Sequence, residues 1–371
     1  MAFGGILAAT LVARGFKNVQ PLNSASGSAK IFRVQEDEGE GAEQYVAKVV
    51  SLISLDAKGR ASAQQEVSLL KGLCAHPNLI AYRQSFMEDP GDLYIVMSLA
   101  DGGDLRCVVV EGMAAKQHIP EPIICSWIRQ TLSGIAHLHE QGVLHRDLKS
   151  SNIFLCNGRR QVRIGDFGIS RVLDSTAFAS SCVGTPAYMS PELMRNERYD
   201  YHVDMWALGC IVFELCTLRL PFAASSIVEL ACQVMEAEPA WSHWVGSEEL
   251  QAIAHRCLQK EADLRPTAVL LLSEPLLAEG GLGALEPPSE VWACIRATPA
   301  SLDDGDTSTS AESSAHLSRS EFADLLATHQ PEVFAALQGR STGSDGSTAT
   351  VVRAAPAARE AGKRTVAETL M

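Results

Sequence analysis

The stretch His145-Arg146-Asp147-Leu148-Lys149-Ser150-Ser151-Asn152 decides how the rest of this sequence is read. Three further short stretches stand around it. Val46-Ala47-Lys48 lies upstream, Asp166-Phe167-Gly168 begins fourteen residues after Asn152, and Ser190-Pro191-Glu192 follows. Any one of these polar residues, taken alone, reads as a solvated loop position. All four stretches in this order, across residues 46–192, are not a coincidence of composition.

Composition bounds the function classes. The chain has 371 residues, 46% of them hydrophobic, which is ample for a sizeable core. A net charge of −13, from 31 basic and 44 acidic residues, argues against a nucleic-acid or anionic-membrane surface, because both reward basic patches. No nucleic-acid or membrane partner is therefore expected. Ten cysteines are scattered without metal-ligand spacing, and Cys210 and Cys216 fall in one apolar helix. That usage reads as reduced thiols in a cytosolic or nuclear protein. The apolar opening, Met1 to Val12, has no preceding basic residue and no small-residue cleavage site, so it is not read as a secretory signal. No other apolar run approaches the roughly 20 residues that span a bilayer.

The four stretches together resemble protein kinases. Asn152-Ile153-Phe154-Leu155, the run Gly165 to Leu173 and Cys182-Val183-Gly184-Thr185-Pro186 narrow the resemblance to NIMA-related serine/threonine kinases. It covers roughly residues 14–278. It implies an α+β, two-lobed kinase fold: a small antiparallel-sheet lobe with one helix (about 14–97), a hinge (98–100) and a mainly helical large lobe (101–278). It also implies ATP and Mg2+ as cofactors, protein substrates, and transfer of the γ-phosphate to Ser or Thr hydroxyls. Cytoskeletal or cell-cycle partners and a cytoplasmic location, with centrosome, cilium or nucleus as further sites, are suggested by the family alone.

The resemblance assigns roles residue by residue. Asp147 accepts the substrate hydroxyl proton, and Lys149 neutralises the γ-phosphate. Lys48 holds the α/β-phosphates and is positioned by Glu66, on a helix expected from Ala61 to Leu73. Asn152 and Asp166 hold the magnesium ions through hard oxygen ligands. Met97 is the gatekeeper, the hinge Ser98-Leu99-Ala100 reads the adenine edge, Phe154 is the floor of the adenine pocket and Ala47 part of its roof. Arg146 and the activation-loop Ser181 form the regulatory pair, with Thr185 bonded to Asp147 and Lys149. Asp204 braces the catalytic loop, and Arg265 pairs with Glu192.

One place departs from the family pattern. The three glycine slots of the phosphate loop read Asn23, Ala25 and Ser28, with one glycine displaced to Gly27. Glycine serves there because backbone N–H groups must approach phosphate in conformations that a Cβ penalises. Weakened ATP binding is expected, and a pseudokinase or scaffold is the alternative function.

Strands are expected over Gly15–Leu22, Ala29–Val34 and Tyr45–Val50, and a helix over Glu121–Gln141 with Ile124, Ile128, Leu132, Ile135 and Leu138 as its core stripe. His137 and His139, two apart on that helix and without an evident acidic partner, are not read as metal ligands. Residues 279–371 are rich in Ser, Gly, Thr and Asp and read as a mostly disordered tail, with one amphipathic piece at 318–338.

Overall fold

The computed structural model describes residues 2–22, 30–37, 43–53, 60, 67–68, 70–88, 91–166, 186–195 and 197–278. Five small-lobe strands are β1 (Lys17–Leu22), β2 (Lys30–Gln35), β3 (Gln44–Ser51), β4 (Tyr82–Glu88) and β5 (Asp92–Ser98). They form one antiparallel sheet in the order β1-β2-β3-β5-β4. Strands β1, β2 and β3 lie within two residues of their expected bounds, the usual uncertainty of an element's end, whereas β4 was not expected.

Successive side chains of a strand point to opposite faces, and β3 shows what each face does. Tyr45, Ala47 and Val49 are buried with Phe32, Val34, Tyr94 and Val96 in a cluster on the outer face. Val50, on the parity of Lys48, packs instead with Val67 and Leu70, helical residues on the other side. The outer face is covered by an element that the sequence reading left outside the fold. The apolar opening forms α1 (Ala2–Ala13), whose Leu7 and Leu11, four apart and therefore on one side of the helix, are buried against the sheet. Gly15, at φ +96°, ends it. Gly15 N donates to Val12 O and Phe16 N to Leu11 O, the paired bonds of a Schellman turn, and Phe16 packs back on Leu11. Arg14 then pairs with Glu88 and lies over Phe86 at 4.8 Å. The packed small lobe thus starts upstream of residue 14.

The large lobe contains α2 (Leu105–Ala115), α3 (Glu121–Glu140), β6 (Ile153–Cys156), β7 (Gln161–Ile164), α4 (Pro191–Met194), α5 (His202–Thr217), α6 (Ile227–Glu236), α7 (Glu248–Cys257) and α8 (Ala268–Leu272). The expected stripe of α3 is buried throughout. Helix α5 is buried on every side, as a helix at the centre of a large core must be. Gly209 lets α7 come close: a Cβ there would stand 2.7 Å from Cys257 Cβ. Burial pushes the thiols of Cys210 and Cys216, both on α5, well above the usual range, which keeps them protonated and unreactive. No helix among the described residues is long and apolar enough to cross a membrane.

Two seams join the lobes. In the first, Ile164 N donates to Asn78 O and Ile80 N to Ile164 O, while Asn78 Nδ2 donates to Val162 O at 3.0 Å. The second ties the segment just after the hinge to β6 of the large lobe, Gly102 N donating to Leu155 O and Leu155 N to Gly103 O, each 2.8 Å. Between these seams lies the cleft.

Candidate active site

The stretch 145–152 is held from below by a buried charge. Asp204, in the first turn of α5, accepts from His145 N and Arg146 N at 2.9 Å each, and from His139 Nε2 at 2.9 Å. Burial alone would push its carboxyl up, but the bond from His139 and the nearby His145 hold it below the usual carboxylate range. His139 therefore has the acidic partner that the sequence reading did not see, and the pair is a brace. His137 is directed elsewhere, its Nε2 to Cys74 O at 3.1 Å and its ring stacked on His76.

The braced loop is locally strained. Arg146 has φ +67° and Asp166 φ +55°. Left-handed backbone at non-glycine residues costs about 1–3 kcal/mol each and persists only where the surroundings over-determine it. Here the two bonds of Asp204 on one side, and His145 Nε2 bonding Gly165 O at 3.0 Å on the other, supply that constraint.

The loop converges on Asp147. Lys149 Nζ donates to Asp147 Oδ2 at 2.9 Å; Asn152 Nδ2 donates to the same oxygen at 3.0 Å and to Asp147 O at 2.7 Å. Across the cleft, Lys48 Nζ donates to Asp166 Oδ1 at 2.6 Å. Burial raises the Asp166 carboxyl, and Lys48 more than reverses this, so it lies below the usual range. Gly165, beside it, admits no side chain: a Cβ would stand 2.7 Å from Ile80 Cγ1 and 3.0 Å from Phe154 Cε2.

Lys48, Asp147, Lys149, Asn152 and Asp166 thus meet in one cleft, and the Phe154 ring lies close to Gly165. Met97 stands opposite Val46 in the sheet and packs on the main core. One assignment is overturned. Ala47 is fully buried on the outer face under α1, so it cannot roof the pocket; strand parity puts Val46 on the face of Lys48. In the hinge, Leu99 N is directed to Gln44 O at 3.4 Å, so this N–H anchors the hinge on β3 and is turned from the cleft. Glu66, the loop residues Asn23, Ala25, Gly27 and Ser28, the activation-loop Ser181 and Thr185, and the tail with its 318–338 piece lie outside the described residues.

Behind the loop, Glu192 and Arg265 form the expected pair, bidentate at 2.7 and 2.8 Å and almost fully buried. Arg265 also donates to the carbonyls of His202, Gln259 and Lys260, so every side of its fork is used. The sequence reading missed a second network: Ser150 Oγ meets Tyr188 OH at 3.0 Å, Tyr188 donates to Glu214, and Arg106 Nη1 bonds Glu214 Oε1 at 2.7 Å. A visible signal was Glu214 itself, one carboxylate after the apolar run Cys210-Ile211-Val212-Phe213.

Comparison with family models matches residues 27–277 to the protein kinase domain. The chain belongs to the protein kinase family. Its kinase domain is of the NIMA-related kind. It is 38% identical over 236 residues to serine/threonine-protein kinase Nek4 of Mus musculus, covering 63% of this chain and 29% of that one. It is 35% identical over 257 residues to Nek1 of Mus musculus (68% and 20%), and 35% identical over 271 residues to Nek11 of Homo sapiens (73% and 41%). The chain thus spans between 20% and 41% of the length of these three relatives, and the similarity concerns the kinase domain.

Proposed function

We propose that this chain is a serine/threonine protein kinase, transferring the γ-phosphate of ATP to Ser or Thr hydroxyls of proteins with Mg2+. The observation that carries the reading is the convergence of Lys149 and Asn152 on Asp147, facing the Lys48–Asp166 pair across one cleft. Protein kinases as a family use ATP and Mg2+, and the donor set fits them. Asn152 spends its Nδ2 on Asp147, which leaves its carbonyl oxygen, with the Asp166 carboxylate, as hard oxygen ligands for Mg2+. Bound MgATP supplies the transferable phosphoryl group and the counter-charge that eases its transfer.

The residues then divide the work. Lys48 is the cation for the α/β-phosphates, with Glu66 as its positioning partner; Val46 and Phe154 enclose the base, and Met97 limits the depth of the pocket. Asp147 orients the acceptor hydroxyl and takes its proton. Lys149, already at hydrogen-bond distance from Asp147, is placed to meet developing phosphate charge. Arg146 serves as a receptor for a phosphate on Ser181, and Thr185 as a partner of Asp147. The relatives' own names carry the Ser/Thr preference to this chain. The substitutions at 23, 25 and 28 favour a scaffold without transfer, but that reading leaves the grouping of five polar side chains around one cleft without a use. The test is phosphate incorporation into a generic Ser/Thr substrate, with Asp147→Ala as control. Transfer by the natural protein and none by the variant is expected; equal incorporation by both would refute the assignment.

A further inference from the structure

Glu214 is an acid in the interior of α5, and both of its oxygens are engaged from outside that helix. Tyr188 OH donates to one and Arg106 Nη1 to the other. The Glu214 side chain is 0% exposed, while that of Arg106 is 44% exposed. The arginine therefore closes a buried carboxylate from the solvent side, and its outer edge remains in water. Only one of its five N–H donors goes to Glu214.

The position of this plug is what matters. Arg106 lies in the first turn of α2, whose N-cap Asp104 bonds Cys107 N at 2.8 Å and bridges to Phe154 on β6. Tyr188, the other partner of Glu214, lines one cavity with Arg146 and Asp147, and meets Ser150, three residues after Asp147. The first turn of α2 and the segment around Tyr188 thus adjoin the catalytic loop through Glu214 and Ser150. A protein segment presenting its hydroxyl to Asp147 would pass close to them. Both nearby acids have partners within the molecule: Cys107 N donates to Asp104, while Arg106 and Tyr188 bond Glu214.

We propose that Arg106 sets the charge preference for the acceptor segment, a deeper reading of the kinase function above that rests on it. A basic side chain beside the acceptor meets a neutralised carboxylate and an outward cation, so it is disfavoured. An acidic side chain meets guanidinium donors, and charge-assisted bonds of this kind are the stronger class.

The test uses two peptides identical except for Glu or Arg at the positions flanking one Ser. The full chain, Arg106→Gln and the double variant Arg106→Gln/Glu214→Gln are compared by fluorescence-anisotropy binding and by phosphate transfer. The natural protein should favour the Glu peptide by about tenfold, the size of one partly exposed charge-assisted bond. Arg106→Gln uncovers Glu214 and should reverse the preference. The double variant, which leaves no orphaned buried charge and so keeps its fold, should show none. A Glu-to-Arg binding ratio that stays the same in the folded variants, or a natural preference for the Arg peptide, overturns the proposal. Binding and transfer separate the two readings. Discrimination in binding without transfer would retire the kinase activity and leave the role of Arg106 standing. Transfer without a change of ratio would do the reverse.

Discussion

The two lobes are held by different kinds of interaction. Beneath the catalytic loop the large lobe uses buried charge: Asp204 on two backbone N–H groups and a histidine, Glu192 on Arg265, Glu214 on Arg106 and Tyr188. The outer wall of the small lobe uses apolar contact, α1 laid on Phe32, Val34, Tyr45 and Tyr94, with one ion pair at its rim. Charge and hydrogen bonds have direction, so they fix loop geometry, strain included. Apolar burial is non-directional and roughly proportional to area. It holds a sheet together without specifying where Lys48 must point. Chemistry should therefore be sensitive to the first region and stability alone to the second.

The sharpest way to break that contrast is Asp204→Ala. It leaves His139 and two buried loop N–H groups without their acceptor, and each donor left unsatisfied costs about 1–3 kcal/mol. Both thermal stability and kcat should fall, and an Asp204→Ala protein with normal kcat would show that the loop holds itself. Next comes Lys48→Met, which removes a cation from the cleft but not a brace. We expect a loss of about 10²–10³ in kcat, the usual effect of deleting one preorganised electrostatic group, with a melting curve near the natural one.

In the small lobe, Leu11→Ala should cost stability near the low end of about 2–5 kcal/mol, because a peripheral helix can partly collapse on the gap. The kcat of the folded fraction should hardly change. A kcat that falls in proportion to stability would erase the distinction between the lobes. A smaller effect concerns pH. Burial raises the Glu192 carboxyl and Arg265 more than offsets it, so its folded value lies below 4.5. A depressed carboxylate adds stability above its unfolded value and loses it as the pH falls through the folded one. Tm measured downward from pH 6 should therefore drop less steeply below pH 4.5 in Glu192→Gln than in the natural protein, although the variant starts lower. Smallest of all, Arg14→Gln should cost only about 0.2–1 kcal/mol, since the Arg14–Glu88 pair is largely exposed. A loss of several kcal/mol on denaturant titration would make charge as important in the outer wall as it is beneath the loop.

Much of this organisation is legible in the sequence. The resemblance carried by the four short stretches implies that Lys48, Asp147, Lys149, Asn152 and Asp166 share one site, and the hydrogen bonds of Asp147 and Asp166 group them so. Ala47 was misread although the correction is also local: strand parity pairs Val46, not Ala47, with Lys48. Helix α1 escaped because it is apolar on nearly every side, and a helix without a polar face shows no stripe. Gly15 just past the run, with Leu7 and Leu11 four apart, was the available clue. His139 could not be understood from its own helix, since its partner Asp204 lies 65 residues away and only the fold brings them together.

The seating of α1 also bears on how the protein is prepared. A truncation at residue 27, where the match to the protein kinase domain model begins, removes both α1 and β1. Phe32, Val34, Tyr45 and Tyr94 would then face water as one greasy wall, the kind of surface that draws molecules into aggregates. Such a preparation would precipitate or lose titre, and its silence in an assay would be mistaken for an enzyme that lacks activity. Residues 2–13, easily trimmed as a leader, are the small lobe's raincoat.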